Sequence, residues 1–269
     1  MSQTEPPTPD QTALQRLLAV MGRLRDPVNG CEWDLAQDFN TIMPYTIEEA
    51  YEVADAIERA DMPALKDELG DLLLQVVFHT RMAEELGLFS FAEVAAAISD
   101  KMEARHPHIF GGAPDHSQSR DLRWEALKAE ERSAKGQGGV MDGVAHALPA
   151  LLRAEKLQKR AARAGFDWPD PQGPADKLHE EMTELAEAHG LEHQAEEAGD
   201  LLFAAVNLVR AYGVAPEDAL RAANRKFERR FRAMEVAAKA RGLDFASLSL
   251  EGQEALWLEV KQSEPGKTA

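Results

Sequence analysis

Two copies of one acidic pattern restrict how this sequence of 269 residues can fold more than any other feature does. Each copy has the form E-E-x-x-E, followed further along the chain by E-x-x-D and a pair of leucines. The acidic residues of the first copy are Glu48, Glu49, Glu52, Glu68 and Asp71, and those of the second are Glu180, Glu181, Glu184, Glu197 and Asp200. Because a repeated pattern indicates a repeated structural unit, we expect two related domains.

The spacing within the second copy predicts a helical hairpin. At about 100° per residue of α-helix, Glu180 and Glu184 lie one turn apart on one face, and Glu181 lies about 60° to the side. The E-x-x-D pair shares a face of a second helix if the His-Gly segment at 189–190 forms a turn. Carboxylates that face one another in this way repel, which suggests a divalent cation between the helices. Oxygen-only ligands favour Mg²⁺ or Mn²⁺ over Zn²⁺.

A solvated surface is the alternative interpretation of the same spacing. Helices often carry Glu at three- and four-residue intervals on a face that is simply hydrated. Thr46 and Glu49 also form a capping-box pattern, which predicts that a helix begins there and gives Glu49 a structural role. The recurrence of the pattern, and the leucines that follow Asp71 and Asp200, favour a functional site.

The rest of the sequence also has helical character, and no run of alternating β-branched residues indicates a strand. We therefore predict an all-α fold. The predicted domains are 11–110 and 148–262, and the linker between them, 111–147, is rich in Gly, Pro and Ser and contains a short helix at 122–131.

Composition limits the classes of partner. The formal net charge of −17 would repel the phosphates of a nucleic-acid polymer, so we expect no such partner, whereas a small phosphorylated ligand remains compatible. No run of about 18 apolar residues predicts a membrane span. A single cysteine, Cys31, and a polar segment without signal-peptide character at Met1–Asp10 predict a cytoplasmic protein without an intrachain disulfide.

Side chains outside the acidic pattern are candidates for substrate contacts. Asn207 lies seven residues after Asp200, on nearly the same face and about 10 Å along the helix axis, which suits a ribose or a base edge. A buried, internally satisfied amide is the alternative, and the first copy has Phe78 at this position. Lys226 and Arg230, four residues apart, could hold phosphate oxygens or could face water near a helix end.

Gly70 and Gly199 occupy equivalent positions inside the predicted acidic helices. Glycine inside a helix is destabilising by about 1 kcal/mol relative to alanine. We expect that something approaches both glycines closely, either a neighbouring helix or a group at the acidic cluster.

The two acidic copies occur together with two further motifs, K-F-E-R-R-F at 226–231 and L-P-A-L at 148–151, which leads to G-F-D-W at 165–168. With these motifs the chain resembles the two-domain MazG nucleoside triphosphate pyrophosphohydrolases over residues 14–260. The resemblance implies tandem MazG-like helical domains whose four-helix bundles are completed by homodimerisation. It also implies hydrolysis of nucleoside triphosphates between the alpha and beta phosphates, with Mg²⁺ or, as the second candidate, Mn²⁺, to control or clean nucleotide pools.

The resemblance also implies roles for individual residues in the second copy, which it makes the catalytic one. Glu180 would orient or deprotonate the attacking water. The metal ligands would be Glu181, Glu184, Glu197 and Asp200. The substrate-binding residues would be Asn207, Lys226, Arg230, Lys156 and Trp168. A second, weaker metal site would consist of Glu49, Glu52, Glu68 and Asp71. The alternative function is a non-catalytic, metal-binding helical dimer that acts as a regulatory or interaction protein.

Overall fold

The computed structural model describes residues 8–111 and 139–264, which belong to two compact units. Unit 1 ends at Leu127 and unit 2 begins at Lys128. Every regular element in the two described ranges is helical and none is a strand, which confirms the all-α prediction. The domain limits 11–110 and 148–262 remain predictions, and the short helix predicted at 122–131 lies outside the described residues.

In unit 1, two long helices that carry the first acidic copy pack against each other, and the first helix of the chain packs on the second of them. The described helices of unit 1 are α1 (Pro9–Leu24), α2 (Glu32–Leu35), α3 (Phe39–Glu58), α4 (Met62–Glu85), α5 (Phe91–Arg105) and α6 (Pro107–Phe110). The S-x-x-E spacing of Ser90 and Glu93 predicts a capping box at the start of α5, and the structure has it. The Ser90 hydroxyl accepts a hydrogen bond from the Glu93 backbone N–H. The Glu93 carboxylate accepts hydrogen bonds from the Ser90 hydroxyl and from the Ser90 backbone N–H, and these bonds lower the pKa of Glu93.

The predicted start of α3 at Thr46 is wrong, because this helix already begins at Phe39. The Asp38 carboxylate accepts hydrogen bonds from the backbone N–H groups of Asn40 and Thr41, at 2.8 and 2.9 Å. These bonds satisfy N–H groups that have no partner inside the helix, and they fix its first turn.

Pro44 therefore lies inside α3 instead of before it. Its ring has no N–H to donate, so one helical hydrogen bond is lost without ending the helix. The Thr46 hydroxyl lies 2.9 Å from Nε2 of His79 on α4, and it does not cap a helix. Glu49, three residues later, consequently has no capping role and faces the other acidic residues.

The core of unit 1 forms where α1, α3 and α4 meet. Its buried residues are Met21, Ile42, Val77, Phe78 and Met82. At its edge, Arg25 of α1's C-terminal cap is only 8% exposed and donates to both carboxylate oxygens of Glu85, at 2.7 to 3.1 Å. The same guanidinium lies 5.4 Å from the centre of the Phe78 ring. Phe78 is thereby fixed inside the unit.

Unit 2 repeats the arrangement of two acidic helices. Its described elements are α7 (Ala150–Arg163), α8 (Gln172–Glu187), α9 (Leu191–Ala211), α10 (Pro216–Ala240), a 3-10 turn (Phe245–Ser247) and α11 (Leu250–Ser263). α8 and α9 pack against each other and are joined at Gly190, whose φ of 86° favours glycine. The predicted turn at 189–190 is confirmed. A separate core between α10 and α11 contains Met234, Ala238, Leu256 and Val260.

Gly70 and Gly199, the glycines inside the acidic helices, have no close neighbour among the described residues of their own units. A Cβ atom placed on Gly70 or Gly199 would meet no atom within 4 Å in the described part of the chain. No neighbouring helix of the same unit therefore explains these glycines, and a ligand at the cluster or a second chain remains as the expected neighbour.

No single helix in the described ranges is long and apolar enough to cross a membrane. Among these helices, only α9 and α10 taken together have the required length and composition, and they are bent by 101° relative to each other.

Candidate active site

Three carboxylates of the second acidic copy converge between α8 and α9. Glu181, Glu197 and Asp200 each offer one oxygen, and these oxygens all lie within 4.8 Å of one another. Glu181 is buried, Glu197 is half-buried and Asp200 is exposed. The cluster offers the oxygen ligands that Mg²⁺ or Mn²⁺ requires, and its exposed side, at Asp200, is open to a ligand.

The remaining two predicted carboxylates of this copy, Glu180 and Glu184, are exposed on α8 outside the group of three. Glu184 is electrostatically close to that group. Lost hydration and the negative charges of its neighbours, including Glu181 and Glu197, raise the pKa of Glu184, although Lys177 partly opposes them. Glu184 therefore lies within the negative field of this cluster.

The ammonium group of Lys177, a residue that our sequence analysis missed, lies beside the acid cluster. Its Nζ lies 2.8 Å from Glu180 Oε1 and 2.6 Å from Glu181 Oε1, and these bonds raise the pKa of the Lys177 ammonium. The helical spacing of three and four residues before the two glutamates is the signal that could have revealed it. Even so, Oε2 of Glu181 is buried and has no hydrogen-bond partner among residues 8–111 and 139–264. An orphaned carboxylate oxygen fits a cation ligand.

A cleft of about 680 Å³ opens beside the cluster in unit 2. Its lining includes Glu181, Asp200 and Lys177 from the acidic end, and Trp168 and Asn207, two of the predicted substrate-binding residues. The volume lies within the range of roughly 300 to 1,000 Å³ that is usual for small-molecule sites.

Arg210, also missed in the sequence, organises one wall of this cleft. Its guanidinium binds both carboxylate oxygens of Asp167, at 2.6 and 3.1 Å, and donates a 2.6 Å hydrogen bond to Asn207 Oδ1. The guanidinium lowers the pKa of Asp167. The predicted alternative for Asn207, a buried and internally satisfied amide, holds for its oxygen, which accepts from Arg210, while the residue also lines the cleft.

The other predicted substrate-binding residues lie outside the lining of this cleft. Lys156 and Lys226 are exposed on α7 and α10. Arg230 is 13% exposed, because Glu264 binds its guanidinium at 2.6 Å and Trp257 lies beneath it at 5.4 Å. The structure thus brings Asn207 and Trp168 to the acid cluster, and it does not bring the three cationic residues there.

The first acidic copy forms a similar cluster in unit 1. Oxygens of Glu49, Glu68 and Asp71 also lie within 4.8 Å of one another, and burial together with the Asp71 charge raises the pKa of Glu49. Glu52 lies close enough to form a hydrogen bond with Glu68, whose pKa is raised by lost hydration and by this neighbour. A cavity of about 140 Å³ in unit 1 is lined by Leu74, Gln75 and Phe78 of α4, the helix that carries Glu68 and Asp71.

Comparison with known proteins identifies the family. The MazG nucleotide pyrophosphohydrolase domain matches residues 37–110, and the phosphoribosyl-ATP pyrophosphohydrolase family matches residues 156–227. A nucleoside triphosphate pyrophosphohydrolase of Escherichia coli K12 is 52% identical over 257 residues, which cover 93% of this chain and 98% of the relative. The nucleoside triphosphate pyrophosphohydrolase/pyrophosphatase MazG of Thermotoga maritima is 42% identical over 247 residues, covering 92% and 95%. With alignments that extend over nearly all of both proteins, this chain belongs to the MazG nucleoside triphosphate pyrophosphohydrolase family.

Proposed function

We propose that unit 2 hydrolyses nucleoside triphosphates between the alpha and beta phosphates, giving a nucleoside monophosphate and pyrophosphate in a Mg²⁺-dependent reaction. The observation that carries the proposal is the opening of the Glu181, Glu197 and Asp200 cluster onto a cleft that can hold a nucleoside. The names of the E. coli and T. maritima relatives support the same substrate class and reaction.

The acidic residues would have two different roles in the reaction. Glu181, Glu197 and Asp200, joined by Glu184, would hold the cation, and Glu180 would orient or deprotonate the attacking water. Bound Mg²⁺ neutralises phosphate charge, lowers the pKa of a coordinated water and stabilises the leaving oxygen. The buried Glu181 oxygen without a partner supports a cation ligand at this point.

The cleft residues would bind the nucleoside part. Trp168 offers an aromatic face and Asn207 offers an amide donor, and both line the cleft that begins at Asp200. Lys177, at the boundary between cluster and cleft, supplies a positive charge for the phosphates. Lys156, Lys226 and Arg230 would contribute only by contacting the part of the substrate that extends outside the cleft.

Unit 1 would bind a cation but turn over little or no nucleotide. Its acid cluster of Glu49, Glu68 and Asp71, with Glu52 beside it, offers the same ligand type. Phe78, held beneath Arg25, occupies the position that corresponds to Asn207, and the cavity that it lines, about 140 Å³, is below the range of small-molecule sites. This difference in space supports catalysis by unit 2 alone.

The enzyme would act on free nucleotides in the cytoplasm and so control or clean nucleotide pools. Its net charge of −17 disfavours a nucleic-acid polymer as a partner. The competing proposal, a non-catalytic metal-binding dimer with a regulatory role, explains the acid clusters but gives no use to the 680 Å³ cleft of unit 2.

A homodimer forms part of this proposal, because each acidic helix pair leaves apolar side chains uncovered. On α4 Leu73 and Val76 are 40% and 38% exposed, and on α9 Leu202 and Phe203 are 60% and 44% exposed. The open space over Gly199 lies on the same helix as the second pair. A second chain that covers 72–77 and 201–209 would complete four-helix bundles and bring its own residues near the cleft.

The product of the reaction tests the function directly. We expect the protein with Mg²⁺ to convert at least one triphosphate of a panel of canonical and modified nucleotides into monophosphate and pyrophosphate, and to be inactive after chelation with EDTA. Release of orthophosphate and a diphosphate would contradict cleavage at the alpha-beta bond. Metal binding without turnover of any triphosphate would favour the non-catalytic dimer.

Sedimentation velocity tests the assembly. We expect a dimer at micromolar concentration, twice the chain mass of 29.6 kDa. A Leu202→Glu substitution, which puts a charge on the exposed apolar face, should shift the protein towards monomer. An active wild-type monomer would refute the proposed role of the second chain.

A further inference from the structure

One buried amide of the cleft has a hydrogen-bonding group that the proposed reaction does not use. Gln158 on α7 is 5% exposed and lines the cleft, yet its Oε1 has no hydrogen-bond partner in the described part of the chain. A buried acceptor without a partner is costly, and native proteins rarely keep one unless water, an ion or a ligand satisfies it.

The other end of the same amide fixes its orientation. Gln158 Nε2 donates a 2.9 Å hydrogen bond to the backbone carbonyl of Phe203 on α9. Turning the amide over would direct its oxygen at that carbonyl oxygen, and two acceptors in contact repel. The Oε1 atom is therefore held as an acceptor, and nothing among the described residues of its own unit supplies the donor.

Asn207 presents the complementary group from α9. Arg210 donates to Asn207 Oδ1 at 2.6 Å, and Arg210 is itself fixed by its two bonds to Asp167. The amide of Asn207 is thus held with its oxygen engaged and its Nδ2 group left as a donor. The cleft therefore combines one fixed acceptor, from Gln158, with one fixed donor, from Asn207.

We infer that Gln158 is a specificity-determining residue, whose Oε1 accepts a hydrogen bond from an N–H group on the edge of the substrate's base. This inference rests on the proposed function. A base that matches this pair carries two neighbouring groups. One is an N–H donor, which binds Gln158, and the other is a ring nitrogen or a carbonyl oxygen, which accepts from Asn207. The substrates are then nucleotides whose pairing edge is free and unmodified, and analogues without the N–H group are rejected.

Matched substrates and variants test this assignment. Values of kcat/KM are measured for ATP against purine riboside triphosphate and for CTP against pyrimidin-2-one riboside triphosphate, in which the amino group is absent. GTP is also compared with 1-methyl-GTP and UTP with 3-methyl-UTP, because the methyl group replaces the ring N–H hydrogen. The decisive comparison is the one whose unmodified nucleotide, the parent, has the fastest turnover. We expect the wild-type enzyme to prefer that parent by about 10-fold or more.

The variant Gln158→Leu should remove this preference, bringing the ratio close to one, because it mainly slows the parent nucleotide. Gln75→Leu is the control, since Gln75 is also buried with an unpartnered Oε1 but lines the small cavity of unit 1. It should leave the ratio at the wild-type value. Thermal melts establish that both variants are folded, and the comparison of substrates on the wild-type enzyme needs no variant.

Two results would overturn the inference. Equal turnover of parent and analogue by the wild-type enzyme would mean that no base N–H reaches Gln158. An equal loss for parent and analogue in Gln158→Leu would mean that the amide only supports the structure or binds water. If the wild-type enzyme turns over no triphosphate at all, the proposed function fails as well, which is a separate result.

Discussion

Replacing Arg210 by methionine should weaken both the stability of unit 2 and its turnover. The guanidinium is 13% exposed and binds Asp167, which is 32% exposed, through two hydrogen bonds. Removing one partner of a fully buried ion pair costs about 3 to 5 kcal/mol, whereas exposed pairs contribute about 0 to 1 kcal/mol. For this intermediate exposure we expect a loss of about 2 kcal/mol in the free energy of unfolding.

The same substitution removes the hydrogen bond that fixes Asn207. Its amide could then rotate, and a loosely held substrate contact lowers kcat/KM by about 10-fold or more. Arg81→Met is the matched control, because Arg81 lies at the corresponding position of α4 and binds Glu84 and Glu85. It should lower the stability of unit 1 and leave turnover at the wild-type rate.

Urea denaturation and steady-state kinetics check both effects. The stability difference between the wild type and Arg210→Met should also depend on pH, because Arg210 lowers the pKa of Asp167 in the folded state. The contribution is complete above the ordinary pKa of 3.8 and is lost as the pH falls through the lower folded-state value. Unchanged kcat/KM in a variant that is clearly less stable would refute the positioning role of Arg210.

Three further predictions concern single residues. Asp200→Asn should abolish pyrophosphate release while circular dichroism still reports the full helical content, and near-normal activity at saturating Mg²⁺ would contradict its role as a ligand. Ser90→Ala should lower the free energy of unfolding of unit 1 by about 1 kcal/mol, since it removes a capping box, and an unchanged denaturation midpoint would argue against that cap. Arg25→Met should lower the free energy of unfolding of unit 1 by about 2 to 3 kcal/mol, because the partly buried Glu85 loses its main partner. Turnover should persist. Loss of activity at temperatures where unit 2 is folded would contradict catalysis by unit 2 alone.

The sequence was sufficient for features that depend on local spacing. The turn at Gly190 and the capping box at Ser90 follow from neighbouring residues, and the structure has both. The start of α3 differs from the prediction, because the Thr46 and Glu49 spacing indicates a capping box, whereas the Asp38 side chain caps the helix and Thr46 lies in its interior. Local spacing could also have revealed Lys177, which lies three and four residues before its two glutamates.

Contacts between distant parts of the chain could not be predicted from the spacing of residues in the sequence. Arg210 pairs with Asp167, 43 residues earlier, and Gln158 bonds the backbone of Phe203, 45 residues later. Nothing in the pattern around either residue specifies such a partner. The contact of Arg230 with Glu264 likewise depends on how α11 packs on α10, which local spacing does not specify.

Mn²⁺ binding combined with turnover tests most directly whether the acid cluster of unit 2 holds the catalytic cation. Electron paramagnetic resonance would count bound Mn²⁺ in the wild type, in Glu197→Gln and in the matched variant of unit 1, Glu68→Gln, and pyrophosphate release would be measured on the same samples. We predict that each variant loses the ion of its own cluster, that Glu197→Gln also loses turnover, and that Glu68→Gln keeps most of it. Turnover that survives the loss of the unit 2 ion, or that disappears equally in both variants, would contradict the account.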